Sequence, residues 1–433
     1  MAVPETELAL YGGTPVCGEE LPAYPAMGDA ELAAVERVIR SGTLSGFSGA
    51  WDREFYGGSA VKELESAWCA RFGVKHAVSV NSATSGLIAA VGAARIGPGD
   101  EVIVPPYTMS ATAIAPLFYG GIPVFVDISD EDFCLDPEAV RAAISPRTRA
   151  IVAVSLFGHP ARLGELRALA REHDLVLIED AAQAPLATEH GRYAGTVGDI
   201  GVFSLNRHKH IHSGEGGICV TDDDDLAERL RLIRNHGENA VGPLGLADAT
   251  NLIGFNFRLS ELSAAVAGEQ LKRIEEHVRR RVAAADRLTS ELEGLEGLTP
   301  PAVRAGCTHV YYMWAFRYDE ETVGVPREVF SEALAAEGIP HEVGYVAPLY
   351  LLPVFQRRVA IGRAGYPFDL APREYAKGLC PTTERLHEKE LMLFPICAYD
   401  DNFDFAEVFA RGVRKVHAAR RRLGRSPAAR SLA

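Results

Sequence analysis

The chain has 433 residues, 47% hydrophobic and 24% charged, values of a folded globular protein long enough for two domains. A formal net charge of −14 argues against general nucleic-acid binding, which needs a basic surface. No uninterrupted apolar stretch is long enough to span a bilayer, and no basic-then-apolar secretory pattern opens the chain, so neither a membrane nor a nucleic acid is expected as a partner.

Residues 1–28 read as an N-terminal arm, broken by Gly12-Gly13-Thr14-Pro15 and by Pro22 and Pro25. Asp29 is expected to cap a helix with Leu32, Val35, Val38 and Ile39 on its apolar face. The Gly- and Ser-rich stretch 41–59, with Trp51, Phe55 and Tyr56, is too long for a turn and suggests a functional loop or lid. A strand–helix rhythm follows. Apolar runs predict strands at 76–80, 101–105, 122–127, 150–155 and 175–179, with helices near 84–95, 110–119, 137–144 and 162–172 between them. Such alternation implies a largely parallel sheet covered on both faces. Further strands are expected at 199–204 and 217–221. Asp222 to Asp225 then cap a helix that reaches about residue 235.

Ser260 opens a long helical pattern through Leu262, Val266, Leu271, Ile274, Val278, Val282, Leu288 and Leu292, long enough to run from one domain into the next. The division expected is a large domain over 29–270, a smaller C-terminal domain over 271–422, and a disordered tail over 423–433. Cys17, Cys69, Cys134, Cys219, Cys307, Cys380 and Cys397 are scattered and odd in number, without zinc spacing. They read as reduced packing residues of a cytoplasmic protein.

Lys209 is the most informative residue. Only seven of the 44 basic residues are Lys, and this one lies four residues before the turn Ser213-Gly214-Glu215-Gly216-Gly217. A primary amine can form a Schiff base with a carbonyl where Arg cannot. The plainer reading of Lys209 alone is a surface lysine in a polar loop.

Three other features converge with it. Asp180 ends an apolar strand in Ile178-Glu179-Asp180-Ala181-Ala182-Gln183, where parallel sheets bind ligands; alone, it would read as a helix cap. Asn81-Ser82-Ala83-Thr84-Ser85-Gly86 joins a strand to a helix, and free N–H groups at a helix start attract anions. Gly254-Phe255-Asn256-Phe257-Arg258 is a polar–aromatic turn entering the long helix. His208, His210 and His212 alternate around Lys209. Alternate residues of an extended segment would share a face, but no acidic partner accompanies them, and no metal is expected.

With these motifs, and with Gly97-Pro98-Gly99-Asp100-Glu101 and Pro123-Val124-Phe125-Val126-Asp127, the chain resembles the DegT/StrS family over about residues 10–420. These are pyridoxal-phosphate-dependent sugar and cyclitol aminotransferases of fold-type I. The resemblance implies an α/β/α sandwich with a mostly parallel sheet, a smaller C-terminal α+β domain, pyridoxal 5'-phosphate as cofactor, and a homodimer with shared active sites. It makes Lys209 the Schiff-base lysine and Asp180 the carboxylate facing the pyridine nitrogen. Gln183 falls near the phenolic oxygen. Ala83, Thr84 and Ser204 fall in the phosphate cup, and Asn256 reaches over from a neighbouring subunit. Met109 stands where the family usually stacks an aromatic on the ring.

Asn206 replaces a common His, as in members acting on cyclitol ketones. Gly344 and Tyr350 replace two more His at positions that contact substrate in the family. The implied reaction moves an amino group from glutamate or glutamine to a keto-sugar or keto-cyclitol in amino-sugar or aminocyclitol biosynthesis. A sugar dehydratase of the same fold would carry His in place of Lys209. A non-catalytic cofactor-binding regulator would share the site without turnover. A nicotinamide oxidoreductase would need a GxGxxG turn that Asn81 to Gly86 lacks.

Overall fold

The computed structural model describes residues 7–24, 26–371, 373–399 and 404–423. The tail expected over 423–433 lies outside the described residues except Leu423, which is buried.

The first helices are α1 (Asp29–Ser41) and α2 (Ser59–Phe72). Five strands follow with helices between them: β1 (His76–Val80), α3 (Ala83–Ala93), β2 (Glu101–Val104), β3 (Ile122–Phe125), α4 (Pro137–Ala143), β4 (Thr148–Val154), α5 (Leu163–Glu172) and β5 (Val176–Asp180). Then come β6 (Ile200–Ser204), β7 (Gly217–Thr221), α6 (Asp224–Arg234), α7 (Glu261–Leu271) and α8 (Ile274–Leu292). Among the described residues the strands form a seven-stranded sheet ordered β1-β7-β6-β5-β4-β2-β3. Only β7 runs antiparallel to its neighbours.

Both faces of this sheet are covered, so its strands are apolar on both sides. Ile151 and Ala153 of β4 face one core with Trp68 of α2 and Leu166 of α5. Ala150 and Val152 face the other, with Leu87 of α3 and Leu230 of α6. The carboxyl ends of β4, β5 and β6 lie side by side, and α3 begins beside β7.

The expected single long helix is two. Ser260 does cap α7, its hydroxyl accepting from Ser263 N–H. The chain then breaks at Lys272–Arg273 before α8, because Arg273 leaves helical geometry (φ −110°, ψ 1°). A second antiparallel sheet, β8 (Leu298–Thr299), β9 (Trp314–Tyr318), β10 (Glu342–Val343) and β11 (Leu391–Phe394), is ordered β8-β9-β11-β10. It packs with α9 (Arg327–Ala336) and α10 (Phe405–Ala418) in a third core that also takes Leu8 and Leu21 of the arm.

Two local expectations about α1 are corrected. Asp29 is the first residue of α1, not its cap. Gly28 precedes the helix and its N–H donates to the Glu31 carboxylate at 2.9 Å. The expected core face of α1 is only partly covered: Val35 and Val38 are half-buried, Leu32 is 67% and Ile39 59% exposed, while Glu31 and Ala34 are buried. The 41–59 stretch, expected as a functional loop or lid, is anchored to the large body at two points. Phe55 is fully buried, and the Asn235 side-chain amide donates to the carbonyls of Ser48 and Phe55, both at 2.8 Å. The Asp223 carboxylate caps α6 through Leu226 N–H. No helix among the described residues is long and apolar enough to cross a membrane.

Candidate active site

A cavity of about 350 Å³ opens at the carboxyl ends of the central strands. Ala83, Thr84, Met109, Asp180, Gln183, Ser204 and Lys209 all line it, so residues up to 126 positions apart in sequence meet at one cavity.

Each side chain is placed by an element end. Asp180 is the last residue of β5 and is buried. Its Oδ2 accepts from Thr112 Oγ1 at 2.9 Å and its Oδ1 from Ala182 N–H at 3.1 Å. Burial pushes its carboxyl above the usual range, against those two hydrogen bonds and the Lys209 charge. Lys209 follows β6 in a turn closed by its own N–H to the Asn206 carbonyl at 2.9 Å. Its Nζ lies 4.2 Å from the Tyr312 ring centroid. Burial lowers this amine to about 8, opposed chiefly by the Asp180 carboxylate. A lysine so placed is partly neutral near neutral pH and can act as nucleophile or proton carrier.

Gln183 is held at both ends of its amide. Oε1 accepts from Phe157 N–H at 2.8 Å, and Nε2 donates to Tyr345 Oη at 3.0 Å. Ala83 and Thr84 are the first residues of α3, where N–H groups have no partner within the helix. The cap is Ser82, whose hydroxyl accepts from Ser85 N–H at 3.0 Å. Gly217 leaves room for this turn, since a Cβ there would sit 2.7 Å from Ala83 N. Ser204 ends β6 opposite that same Gly217. Helix-terminal N–H groups and a hydroxyl therefore line the same cavity, an arrangement that could hold an anion.

Met109 lines the mouth and is 62% exposed. Asn256 does not line the cavity. Its Oδ1 accepts from Arg258 Nε at 2.7 Å and the residue is exposed. Asn206 does line it, with Nδ2 donating to the Glu215 carboxylate at 3.1 Å.

The two other replaced His positions differ from the expectation. Tyr350 is buried in the second core against Phe125 and donates to Glu384, away from the cavity. Gly344 has φ +67°, and a Cβ there would collide with the His387 carbonyl, so backbone geometry favours glycine. The three alternating histidines do not all share a face: His208 and His212 line one cavity, and His210 turns away from them. His210 is buried and hydrogen-bonds the Val310 carbonyl at 2.8 Å, because the segment is a turn rather than a strand. Among the described residues no His/Cys/Asp/Glu group could hold a metal ion.

Thr112 and Tyr312 are the site residues that sequence reasoning missed. Thr112 sits in an ordinary apolar helical pattern, and Tyr312 arrives from beyond α8. Neither carries a local signal.

The model of the DegT/DnrJ/EryC1/StrS aminotransferase family matches residues 25–391. The chain is 37% identical over 426 residues to L-glutamine:2-deoxy-scyllo-inosose aminotransferase of Streptoalloteichus tenebrarius, covering 94% of this chain and 97% of the relative. It is 35% identical to L-glutamine:scyllo-inosose aminotransferase of Streptomyces griseus, covering 95% and 98%. The crystal structure of DesI with its TDP-sugar product superposes with a TM-score of 0.80 at 30% identity, covering 99% of this chain and 100% of that one.

Proposed function

Since the chain belongs to the DegT/DnrJ/EryC1/StrS aminotransferase family, whose cofactor is pyridoxal 5'-phosphate, we propose that it moves an amino group from glutamine to a free keto-cyclitol. The observation that carries the chemistry is the enclosed pair of Lys209 and Asp180 facing one cavity, with helix-terminal N–H groups and a hydroxyl lining it too.

The residues present fit the cofactor. The start of α3 and Ser204 would hold its phosphate, Asp180 its ring nitrogen, and Lys209 its aldehyde. When bound, the group supplies an electron sink and a carbonyl that accepts and passes on the amine. The Lys209 amine takes the proton from the donor α-carbon and returns one to the acceptor carbon that becomes aminated. Its burial-lowered affinity for protons keeps a share of it neutral for that work. Asp180 holds a proton on the ring nitrogen, and Thr112 fixes the carboxylate that does so. Gln183, its amide aimed by Phe157 and Tyr345, would flank the cofactor's phenolic oxygen. Met109 covers the mouth with a polarizable thioether.

Asn206 and the two inosose-specific relatives support the cyclitol acceptor over a nucleotide-linked sugar. The test is steady-state comparison of inosose-like ketones with nucleotide-linked keto-sugars. A higher kcat/KM for the latter overturns the acceptor reading. A cofactor-bound protein that responds spectrally to no amino donor would be a regulator instead.

The active unit in this reading is a cytoplasmic homodimer with shared sites. Its support is an incomplete single subunit: Asn256 lies off its own cavity, Ile253 beside it is 72% exposed, and Leu32 and Ile39 of α1 are exposed. Mixing Lys209→Ala chains with a severely impaired Asn256 variant should restore activity at one site per heterodimer. Full activity in a monomeric preparation refutes the shared site. The division into an arm (1–28), a large domain (29–270) and a small domain (271–422) is part of the same proposal, with closure of the small domain over the site.

A further inference from the structure

A second cavity, of about 670 Å³, opens beyond Lys209 and shares Lys209, His208, Tyr312 and Tyr345 with the first. Two opposite charges line it. Arg207 stands on the turn two residues before Lys209. Glu342 opens β10, where Glu342 pairs with Leu393 and Val343 with Met392, so its carboxylate rides on a sheet rather than a loop. Both residues are exposed, and among the described residues neither side chain has a hydrogen bond or ion pair. Burial is the main cause that pushes up the phenols of Tyr312 and Tyr345, and the Glu342 charge adds to it in the same direction. Burial raises its own carboxyl as well.

A free cation and a free carboxylate framing one cavity next to the reactive amine match a zwitterion with an extra hydrogen-bond donor. We propose that this cavity is the amino donor's subsite. Arg207 holds the donor α-carboxylate and Glu342 selects a terminal amide over a terminal carboxylate. The physical basis is asymmetric. An amide N–H donates a charge-assisted hydrogen bond to Glu342, whereas a second carboxylate offers no donor and brings a like charge. Discrimination by repulsion as well as attraction is how close analogues are separated. The inference rests on the glutamine-donor reading.

The experiment uses the cofactor-loaded enzyme and its Glu342→Gln, Arg207→Lys and Arg207→Gln variants. The amino-donor half-reaction is followed with glutamine and glutamate separately. In parallel, calorimetry measures binding of glutaramate and glutarate, the same two skeletons without the amine. Wild type should favour glutamine over glutamate, and glutaramate over glutarate, by roughly tenfold or more. Glu342→Gln should shrink both ratios by about tenfold, mainly by improving the carboxylate ligand. Arg207→Gln should weaken all four compounds similarly, with Arg207→Lys partly restoring them. A wild type that prefers glutamate defeats the glutamine reading itself. A wild type that prefers glutamine but keeps its ratios in Glu342→Gln defeats the Glu342 assignment alone. Parallel loss of both donors in Glu342→Gln means a merely structural residue and defeats it equally.

Discussion

Thr112→Val removes one methyl-sized hydroxyl and leaves the shape of a fully buried side chain almost unchanged. What it takes away is the 2.9 Å hydrogen bond to Asp180 Oδ2, leaving Ala182 N–H at 3.1 Å as the partner of the other oxygen. A hydrogen bond to a charged group is worth about 1.5–3 kcal/mol. The loss is not felt equally by both forms of the enzyme. Without cofactor, Asp180 can escape it by taking up a proton, which burial already favours. With cofactor it must stay ionised to face a protonated ring nitrogen. Most of the lost bond therefore appears as lost cofactor affinity, about 10-fold to 150-fold. Titrating the cofactor-free protein with pyridoxal 5'-phosphate by absorbance measures it, with Thr112→Ser as a control that should remain near wild type. An affinity within about twofold of wild type for Thr112→Val, together with an unchanged donor half-reaction, would refute the idea that Thr112 holds Asp180 for the ring.

Lys209 of the cofactor-free protein should condense with pyridoxal half-maximally near pH 8, its lowered value, with the adduct fixed by borohydride and mapped to one peptide. A rate still climbing towards the ordinary lysine value of 10.5 means an ordinary surface lysine. The sign for stability follows from the same shift. Because the folded value is depressed, cofactor-free stability is highest above 10.5 and declines as pH falls to about 8, where it levels; denaturant melts across that window read it. Gly217→Ala, whose Cβ meets Ala83 N at 2.7 Å, should weaken pyridoxal 5'-phosphate binding by roughly tenfold or more while sparing unphosphorylated pyridoxal. Equal losses for the two ligands would argue against a phosphate site there. Gly344→His restores a common family residue but places a side chain at φ +67° against the His387 carbonyl, so it should lower folding stability by at least ~1–2 kcal/mol in denaturant titration. A variant as stable as wild type would show that the backbone does not dictate this glycine.

The sheet was readable because its strands are covered on both sides. Runs such as Ile151-Val152-Ala153-Val154 have no polar face to blur their limits, and the strands fall within two residues of the expectation. Helix faces were less readable. The spacing of Leu32, Val35, Val38 and Ile39 reports an apolar stripe but not what covers it, and here Val35 and Val38 are half-buried while Leu32 and Ile39 stay exposed. The core-facing side of α1 instead uses Glu31, whose carboxylate is taken by the Gln270 amide at 2.8 Å and by Arg273. That pairing spans more than two hundred residues and leaves no local trace. The same Arg273 marks the break between α7 and α8, where no Pro or Gly warned of it. In the site, residues at strand ends and helix starts were legible because position in an α/β sheet constrains them. Thr112, Tyr312 and Glu342 were not, since each matters only through a neighbour that folding brings to it.

Helix α8 is shared property. Ile274 and Val278 are packed in the core of the parallel sheet, while Ala285, Leu288 and Leu292, further along the same rod, are packed in the core beneath the antiparallel sheet. Neither body can melt without stripping apolar surface from the other, and each buried Leu or Val so exposed costs about 1.5–3 kcal/mol. The two bodies are thus one cooperative unit: heating should give a single calorimetric transition, and limited proteolysis should not liberate a stable C-terminal fragment.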